Sequence, residues 1–307
     1  MSRFVQCRVV VLQGGPSAER TVSLATGAAV AQALNDLGHT VIELDPDQTI
    51  AQALQVAEPD VVFNALHGTF GEDGRIQGLL DWLQIPYTGE GVRASALAFD
   101  KSVAKSIYRA HGVPVADDLV IHAHGQDPIP NFEIPLALPL VVKPIAQGSS
   151  VGVHLVHDDA GLKQALRETI YADCLVESLI AGPEFSVVCA GQTVLGSVEI
   201  EAVREFYDFE AKYGDGGTRY HVPPRLSQHD LDAVEEAGMA AHRALGCRAI
   251  TRTDVILGKD GPVVLETNTL PGMTANSLVP KVAAHRGMSF QDLIQTILDL
   301  AQYEGQQ

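Results

Sequence analysis

Within the first ninety residues, short apolar runs alternate with segments of helical period, and this alternation limits the fold more than any other feature. Residues 9–12 form a buried-strand run that ends in Gly14-Gly15-Pro16. A helix pattern follows, with Val22, Ala25, Ala29, Ala33 and Leu37 at three- and four-residue steps, and stops at Gly38. Residues 41–44 and 61–66 read as further strands, with helices expected over 50–56 and 76–83. Strands separated by helices imply a parallel sheet covered on both faces. Ligands of such sheets gather at the carboxyl ends of the strands, where residues 13–20 and 67–74 form loops.

A second block spans about residues 92–184. It holds a helix over 101–111, strands at 140–143, 153–156 and 175–177, a helix over 160–169 and a small-residue loop at 147–152. Residues 122–137 are rich in Pro and His and show no clear period. The third block begins with strands at 185–189 and 194–201, then a polar loop, 205–224, too long for an ordinary structureless connection. A helix over 230–245 precedes strands 253–257 and 263–268, which flank Lys259-Asp260-Gly261, a hairpin signal. Ser289-Phe-Gln-Asp292 resembles a capping box opening a last helix through Leu300.

Charge and cysteine usage exclude several classes. With 38 acidic against 21 basic residues the formal net charge is −17, which argues against nonspecific nucleic-acid or anionic-membrane binding. No apolar run approaches the roughly 20 residues needed to span a bilayer, and the N-terminus lacks a signal-peptide core. Cys7, Cys174, Cys189 and Cys247 are far apart, with no C-x-x-C and no His at evident ligand spacing. The expectation is a reduced cytoplasmic protein without a zinc site.

Two places carry a chemical signal. The loop Gln147-Gly-Ser-Ser-Val-Gly152 follows a strand ending in Lys143, and Lys101 opens the preceding helix. Small residues let backbone N–H groups close on phosphate oxygens, although the Walker pattern is absent and a plain surface turn is the alternative. In the hairpin, Glu266 and Asn268 leave one face of a strand, and pairing brings Asp254 opposite Glu266. Two carboxylates and an amide oxygen suit Mg²⁺ or Mn²⁺ better than zinc. The alternative is a solvated acidic face, but Val263, Val264 and Leu265 mark a buried strand where carboxylates need a partner.

Arg252 and Lys212 add positive charge near these places, and loop 205–224 reads as a lid or as disorder. Glu19 is either a helix-start residue or a ligand group, and His67 occupies a strand-end loop. A Rossmann dinucleotide site fails because the turn after the first strand lacks G-x-G-x-x-G, and Asp45 alone does not replace it. No G-x-S-x-G elbow supports hydrolase chemistry.

Five motifs occur in order: Gly14-Gly-Pro-Ser-Ala-Glu-Arg20, His67-Gly-x-x-Gly-Glu-Asp-Gly74, Val142-Lys-Pro144 with Gln147–Gly152, Phe206-Tyr-Asp-Phe-Glu-Ala-Lys-Tyr213, and Glu266-Thr-Asn-Thr-Leu-Pro-Gly-Met-Thr274. Together they resemble the D-alanine–D-alanine ligases, ATP-grasp enzymes of peptidoglycan precursor synthesis, from end to end. The resemblance implies an α/β, ATP-grasp architecture: an N-terminal parallel-sheet domain (1–95) plus two α+β domains (96–184 and 185–307) clamping ATP, with a lid at 205–224. It assigns Lys101, Lys143, Glu177, Ile180 and Glu184 to ATP, and Asp254, Glu266 and Asn268 to two Mg²⁺ or Mn²⁺ ions. Glu19, Ser149, Tyr213, Arg252 and Gly272 become catalytic, with Arg252 and the Gly272 backbone steadying a tetrahedral intermediate. His67 would hold the first D-alanine, and Lys212 and Ser277 the carboxylate of the second. The family also implies a cytoplasmic homodimer.

Ser178 departs from the lysine that many relatives carry. Tyr213 is the type found in dipeptide-forming relatives and argues against a D-lactate ligase. A regulator that kept the fold but lost catalysis is the other alternative, although Lys143, Arg252, Asp254, Glu266 and Asn268 are all present.

Overall fold

The computed structural model describes residues 2–123, 134–146, 148, 152–169, 172–201 and 217–305. Among them the strands form three sheets. β1 (Arg8–Leu12), β2 (Thr40–Leu44) and β3 (Val61–Asn64) make the expected parallel sheet, ordered β2-β1-β3. Val9 pairs with both Val41 and Val61. Residues 9–12 and 61–62 are fully buried because α1 (Arg20–Asp36), α2 (Ile50–Ala57) and α3 (Arg75–Trp82) pack around the sheet.

The buried face of α1 differs from the expected one. Ser23, Thr26, Gly27, Val30, Ala31, Ala33 and Leu34 are buried, whereas Ala25 is exposed and Val22, Ala29 and Leu37 are half-buried. The helix turns its hydroxyls inward because partners wait there. Ser23 Oγ donates to the Ala65 carbonyl and accepts from the Gly14 N–H, both at 2.8 Å. Thr26 Oγ1 meets His67 Nε2 at 3.1 Å. An apolar count alone overlooks a polar face that serves a loop.

After α3 the chain forms α4 (Val92–Phe99) and α5 (Lys101–Ala110). Asp100 caps α5 by accepting from the Ser102 and Val103 amides. Next come β4 (Asp118–Ile121), β5 (Leu140–Pro144), β6 (His154–Val156), α6 (Asp159–Glu168) and β7 (Cys174–Ser178). These four strands form an antiparallel sheet ordered β4-β7-β5-β6, with its own small core.

The third sheet holds β8 (Glu184–Ala190), β9 (Thr193–Glu201), β10 (Arg219–His221), β11 (Ile250–Gly258) and β12 (Gly261–Asn268), ordered β10-β9-β8-β11-β12. β10 corrects part of the expected loop: Tyr220 pairs with Ile200 on the sheet edge. Residues 205–216 of that loop lie outside the described residues. α7 (Gln228–Ala244) covers this sheet. α4 and α5 pack into the same core through Ala94, Ala98, Ala104 and Tyr108.

α8 (Leu278–His285) and α9 (Phe290–Asp299) return to the first sheet. The expected Ser289/Asp292 capping box opens α9. Beyond it, Gln302 bridges Tyr87, which in turn bridges Val62 of β3. The first and third sheets therefore share one core, in which Val9, Val11 and Phe63 meet Val188, Ile250, Val279 and Leu293. No helix among the described residues is long and apolar enough to cross a membrane.

Candidate active site

The β11–β12 hairpin pairs as expected, Asp254 with Glu266 and Arg252 with Asn268, and an irregularity in register follows Asp254. Asp254 is only 4% exposed. Arg252 grips it bidentately, Nε to Oδ1 and Nη2 to Oδ2, each at 2.9 Å, and Ser186 Oγ donates to Oδ1 at 2.5 Å. Lys101, at the start of α5, reaches Glu266 Oε2 at 3.2 Å. Asn268 Oδ1 accepts the Leu270 amide at 2.9 Å, which starts the turn toward Gly272.

Thus each hairpin carboxylate already attracts a cationic side chain. Two carboxylates and an amide oxygen are the donor set of a hard divalent cation, which would take the place of the guanidinium and ammonium groups now paired with the carboxylates. Its lack of sulfur or imidazole makes it a poor zinc site.

Opposite the hairpin, the loops of the first sheet supply Glu19 and His67. Glu19 precedes α1 but makes no side-chain cap. Its carboxylate projects past two glycines: a Cβ on Gly68 would lie 2.6 Å, and one on Gly148 2.8 Å, from Glu19 Oε2. Gly68 also has φ +69°, which a glycine adopts without strain. His67 is 6% exposed. Its ring is bracketed by Thr26 Oγ1 on one nitrogen and Glu72 Oε1, at 3.4 Å, on the other. Ser17 Oγ donates to the His67 carbonyl at 2.6 Å, joining the two loops.

These groups line one open cleft, which brings together Glu19, His67, Lys101, Arg252, Glu266, Asn268 and Gly272. Ser277 stands beside it: its Oγ would lie 3.0 Å from a Cβ on Gly272, and it accepts the Thr274 amide at 3.0 Å. Ser149, Lys212 and Tyr213 lie outside the described residues.

The remaining nucleotide candidates occupy the side toward the four-stranded sheet. Glu177 on β7 is 4% exposed and binds two lysines, Lys105 Nζ at 2.6 Å and Lys143 Nζ at 2.5 Å. Burial pushes its carboxyl upward, but the two ammonium groups outweigh burial and hold it below its ordinary value. Burial lowers Lys105 to about 8 despite Glu177. Ile180 packs near Gly258, and Glu184 opens β8 opposite Ile256. Glu177, Ile180 and Glu184 do not line the cleft that holds Glu19 and Glu266.

Three residues without an assigned role enter the site. Lys105 lies one helical turn after Lys101, a spacing that could have marked it. Glu72 belongs to the His67–Gly74 motif and braces the histidine. Ser186 offered no sequence signal, because its partner Asp254 is 68 residues away.

Comparison with known proteins gives one answer. Residues 43–90 match the family model "D-ala D-ala ligase N-terminus" and residues 107–299 match "D-ala D-ala ligase C-terminus". A D-alanine–D-alanine ligase of Anaeromyxobacter sp. (strain K) is 50% identical over 302 residues, covering 97% of this chain and 98% of that protein. One from Cereibacter sphaeroides (strain ATCC 17029) is 45% identical over 296 residues, 95% of each chain. A crystal structure of the Bacillus anthracis ligase complexed with ATP superposes with a TM-score of 0.83 at 29% identity, covering 96% of this chain and 97% of that one.

Proposed function

The chain belongs to the D-alanine–D-alanine ligase family and joins two D-alanine molecules with consumption of ATP; we propose that the cleft between the first sheet and the β11–β12 hairpin is where the peptide bond forms. The observation that carries this reading is convergence. Glu19 and His67, from the loops of the parallel sheet, face Lys101, Arg252, Glu266, Asn268 and Gly272 across one cavity.

A carboxylate is a poor electrophile, so the γ-phosphoryl of ATP first moves onto the carboxylate of one D-alanine. Lys101 and Lys143 neutralise charge on the transferring group, and Glu177, Ile180 and Glu184 hold the nucleoside side of ATP. Asp254, Glu266 and Asn268 would hold two Mg²⁺ or Mn²⁺ ions, which would supply electrostatic neutralisation of the phosphates. Glu19, with Ser149 and Tyr213, positions the ammonium of the first D-alanine, and His67 helps seat it. Lys212 and Ser277 take the carboxylate of the second. Its amine, once deprotonated, attacks the carbonyl carbon of the acyl phosphate, and Arg252 and the Gly272 N–H steady the tetrahedral oxyanion. The C–O bond to phosphate then breaks as the peptide carbonyl re-forms and the nitrogen sheds its remaining extra proton. Closure of the part of the expected loop that precedes β10 would keep water from the acyl phosphate.

Three units bounded near residues 95 and 184 belong to the same proposal; the three sheets support it. We also place the enzyme in the cytoplasm as a homodimer supplying peptidoglycan precursors, on family membership. The deciding experiment is phosphate release from Mg-ATP with D-alanine as sole amino acid and L-alanine as control. Release that requires D-alanine, with dipeptide formed in equal amount, is expected. ATP binding without turnover would overturn the reading, and turnover only when D-lactate is added would move it to a depsipeptide ligase.

A further inference from the structure

Glu90 has no part in the chemistry above, yet it is fully buried. Its Oε2 accepts the Arg248 N–H at 2.6 Å and its Oε1 the Ala249 N–H at 2.8 Å, the two residues that lead into β11. The preceding residues are anchored in two further directions. Thr88 donates its N–H to the Val62 carbonyl at 3.0 Å, and its Oγ1 accepts the Asn64 N–H at 3.0 Å, tying the segment to β3. Gly89, with φ +92°, lies under Leu270, whose Cδ2 would be 2.6 Å from a Cβ there.

Each anchor is a few residues from a site group. Asn64 leads to His67, Ala249 to Arg252, and Leu270 to Gly272. The segment 88–90 is thus a three-way joint between the two sides of the D-alanine cleft.

We infer that Glu90 is a positioning residue, which sets Glu19 and His67 at the spacing from Arg252 and Gly272 that bound D-alanine requires. The inference rests on the ligase reading given above. Nucleotide binding should depend less on this joint, because Lys143 and Glu177 lie on the four-stranded sheet, to which the joint is not anchored.

A metal role is the competing use of these atoms. Glu90, His242 and Cys247 each bring a ligand atom within 4.8 Å of the others, all buried. However, both Glu90 oxygens are engaged by peptide N–H groups, so the carboxylate acts as an acceptor for the backbone.

The joint should also respond to pH. Burial raises the Glu90 carboxyl to about 7, against the pull of the two amides and Arg248. Its charged and titratable neighbours are Arg248, His242 on α7 and Cys247; Arg93 on α4 lies against Gly246, and Glu304 against Gly91. Burial holds His242 down to about 4 and the Cys247 thiol well above its ordinary value, so both stay neutral around neutrality. Protonated Glu90 presents an O–H to one of the amides and loses an acceptor.

The test is steady-state kinetics of the full chain and of E90A and E90Q, with ATP and D-alanine varied separately and bound zinc measured. E90A should raise KM for D-alanine about tenfold or more, the loss expected of a buried charged acceptor. E90Q, which keeps one carbonyl oxygen, should raise it less, and KM for ATP should change less than about twofold in either. In the wild type, KM for D-alanine should climb as pH falls through about 7, and E90Q should flatten that climb. An unchanged KM for D-alanine, equal rises for both substrates, or stoichiometric zinc lost in E90Q would overturn the inference. Should E90A fail to fold, E90Q and the wild-type pH profile decide it alone. Absence of D-alanine turnover in the wild type would instead strike the ligase reading beneath it.

Discussion

Glu177 and Glu266 each meet a lysine, yet they are built for different ends. Glu177 is sealed between Lys105 and Lys143, its side chain 5% exposed, and Lys105 also reaches Asp118 at 3.3 Å. Glu266 meets Lys101 at 3.2 Å with 29% of its side chain exposed, on the wall of the cleft. A buried charge pair is difficult to separate, because removal of either member strands the other away from water. A carboxylate at a cleft wall can exchange its ammonium partner for another cation without that penalty. The first arrangement keeps Glu177 and Lys143 fixed in place on the nucleotide side; the second leaves a carboxylate able to trade its partner during a reaction.

The largest expected effect tests the second half of this contrast. Glu266→Ala should reduce D-alanine-dependent phosphate release at least about a thousandfold, several kcal/mol of transition-state stabilisation. Its melting temperature should stay near wild type, since partly exposed ion pairs contribute little to stability. A variant that melts early would show that Glu266 belongs with Glu177 after all.

Glu177→Ala should in addition destabilise the chain by about 3–5 kcal/mol in chemical denaturation, because buried Lys143 loses its carboxylate and Lys105 is left with Asp118 alone. The pH dependence carries a sign that checks the cause. Since the lysines hold Glu177 below its ordinary 4.5, its contribution is present above that value and fades as pH falls beneath it. Lys105 is lowered from 10.5 to about 8, so the unfolded chain binds more protons between those values and stability should rise with pH there. Lys105→Met should remove that rise. A rise that persists would assign it to another group.

This contrast also marks what the amino-acid sequence made legible. The alternation of strand and helix exposed the parallel sheet because the period of an apolar run is local information. The hairpin carboxylates were legible for the same reason: two-residue spacing and one turn put Asp254 opposite Glu266. Glu19 and His67 stood out by their strand-end loops and took their roles from the resemblance, but no local pattern could foretell their meeting with the hairpin. What escaped depends on distant polar partners. Ser23 and Thr26 turn α1 by their bonds to the Ala65 carbonyl and to His67. Lys105 is buried because Asp118 of β4 and Glu177 of β7, both distant in sequence, close on it. Glu90 finds its amides 158 and 159 residues along the chain. Tyr220 and its neighbours read as loop because three residues are too short to show a period.

Asp254 lies between the two extremes, buried like Glu177 but on the same hairpin as Glu266, and it offers the smallest and most discriminating test. Arg252 and Ser186 both hold it. If Asp254 binds a divalent cation, Arg252 must yield its grip, while the neutral Ser186 hydroxyl can stay and keep one oxygen oriented. Ser186→Ala should then raise the Mg²⁺ concentration for half-maximal rate by several-fold, about 1 kcal/mol for one neutral hydrogen bond, with kcat at saturating Mg²⁺ little changed. A loss of kcat that saturating Mg²⁺ fails to restore would mean that the hydroxyl serves Arg252 rather than the cation. Asp254 would then be sealed by its cationic partner as Glu177 is, and the division between sealed and exchangeable carboxylates would run along the hairpin itself.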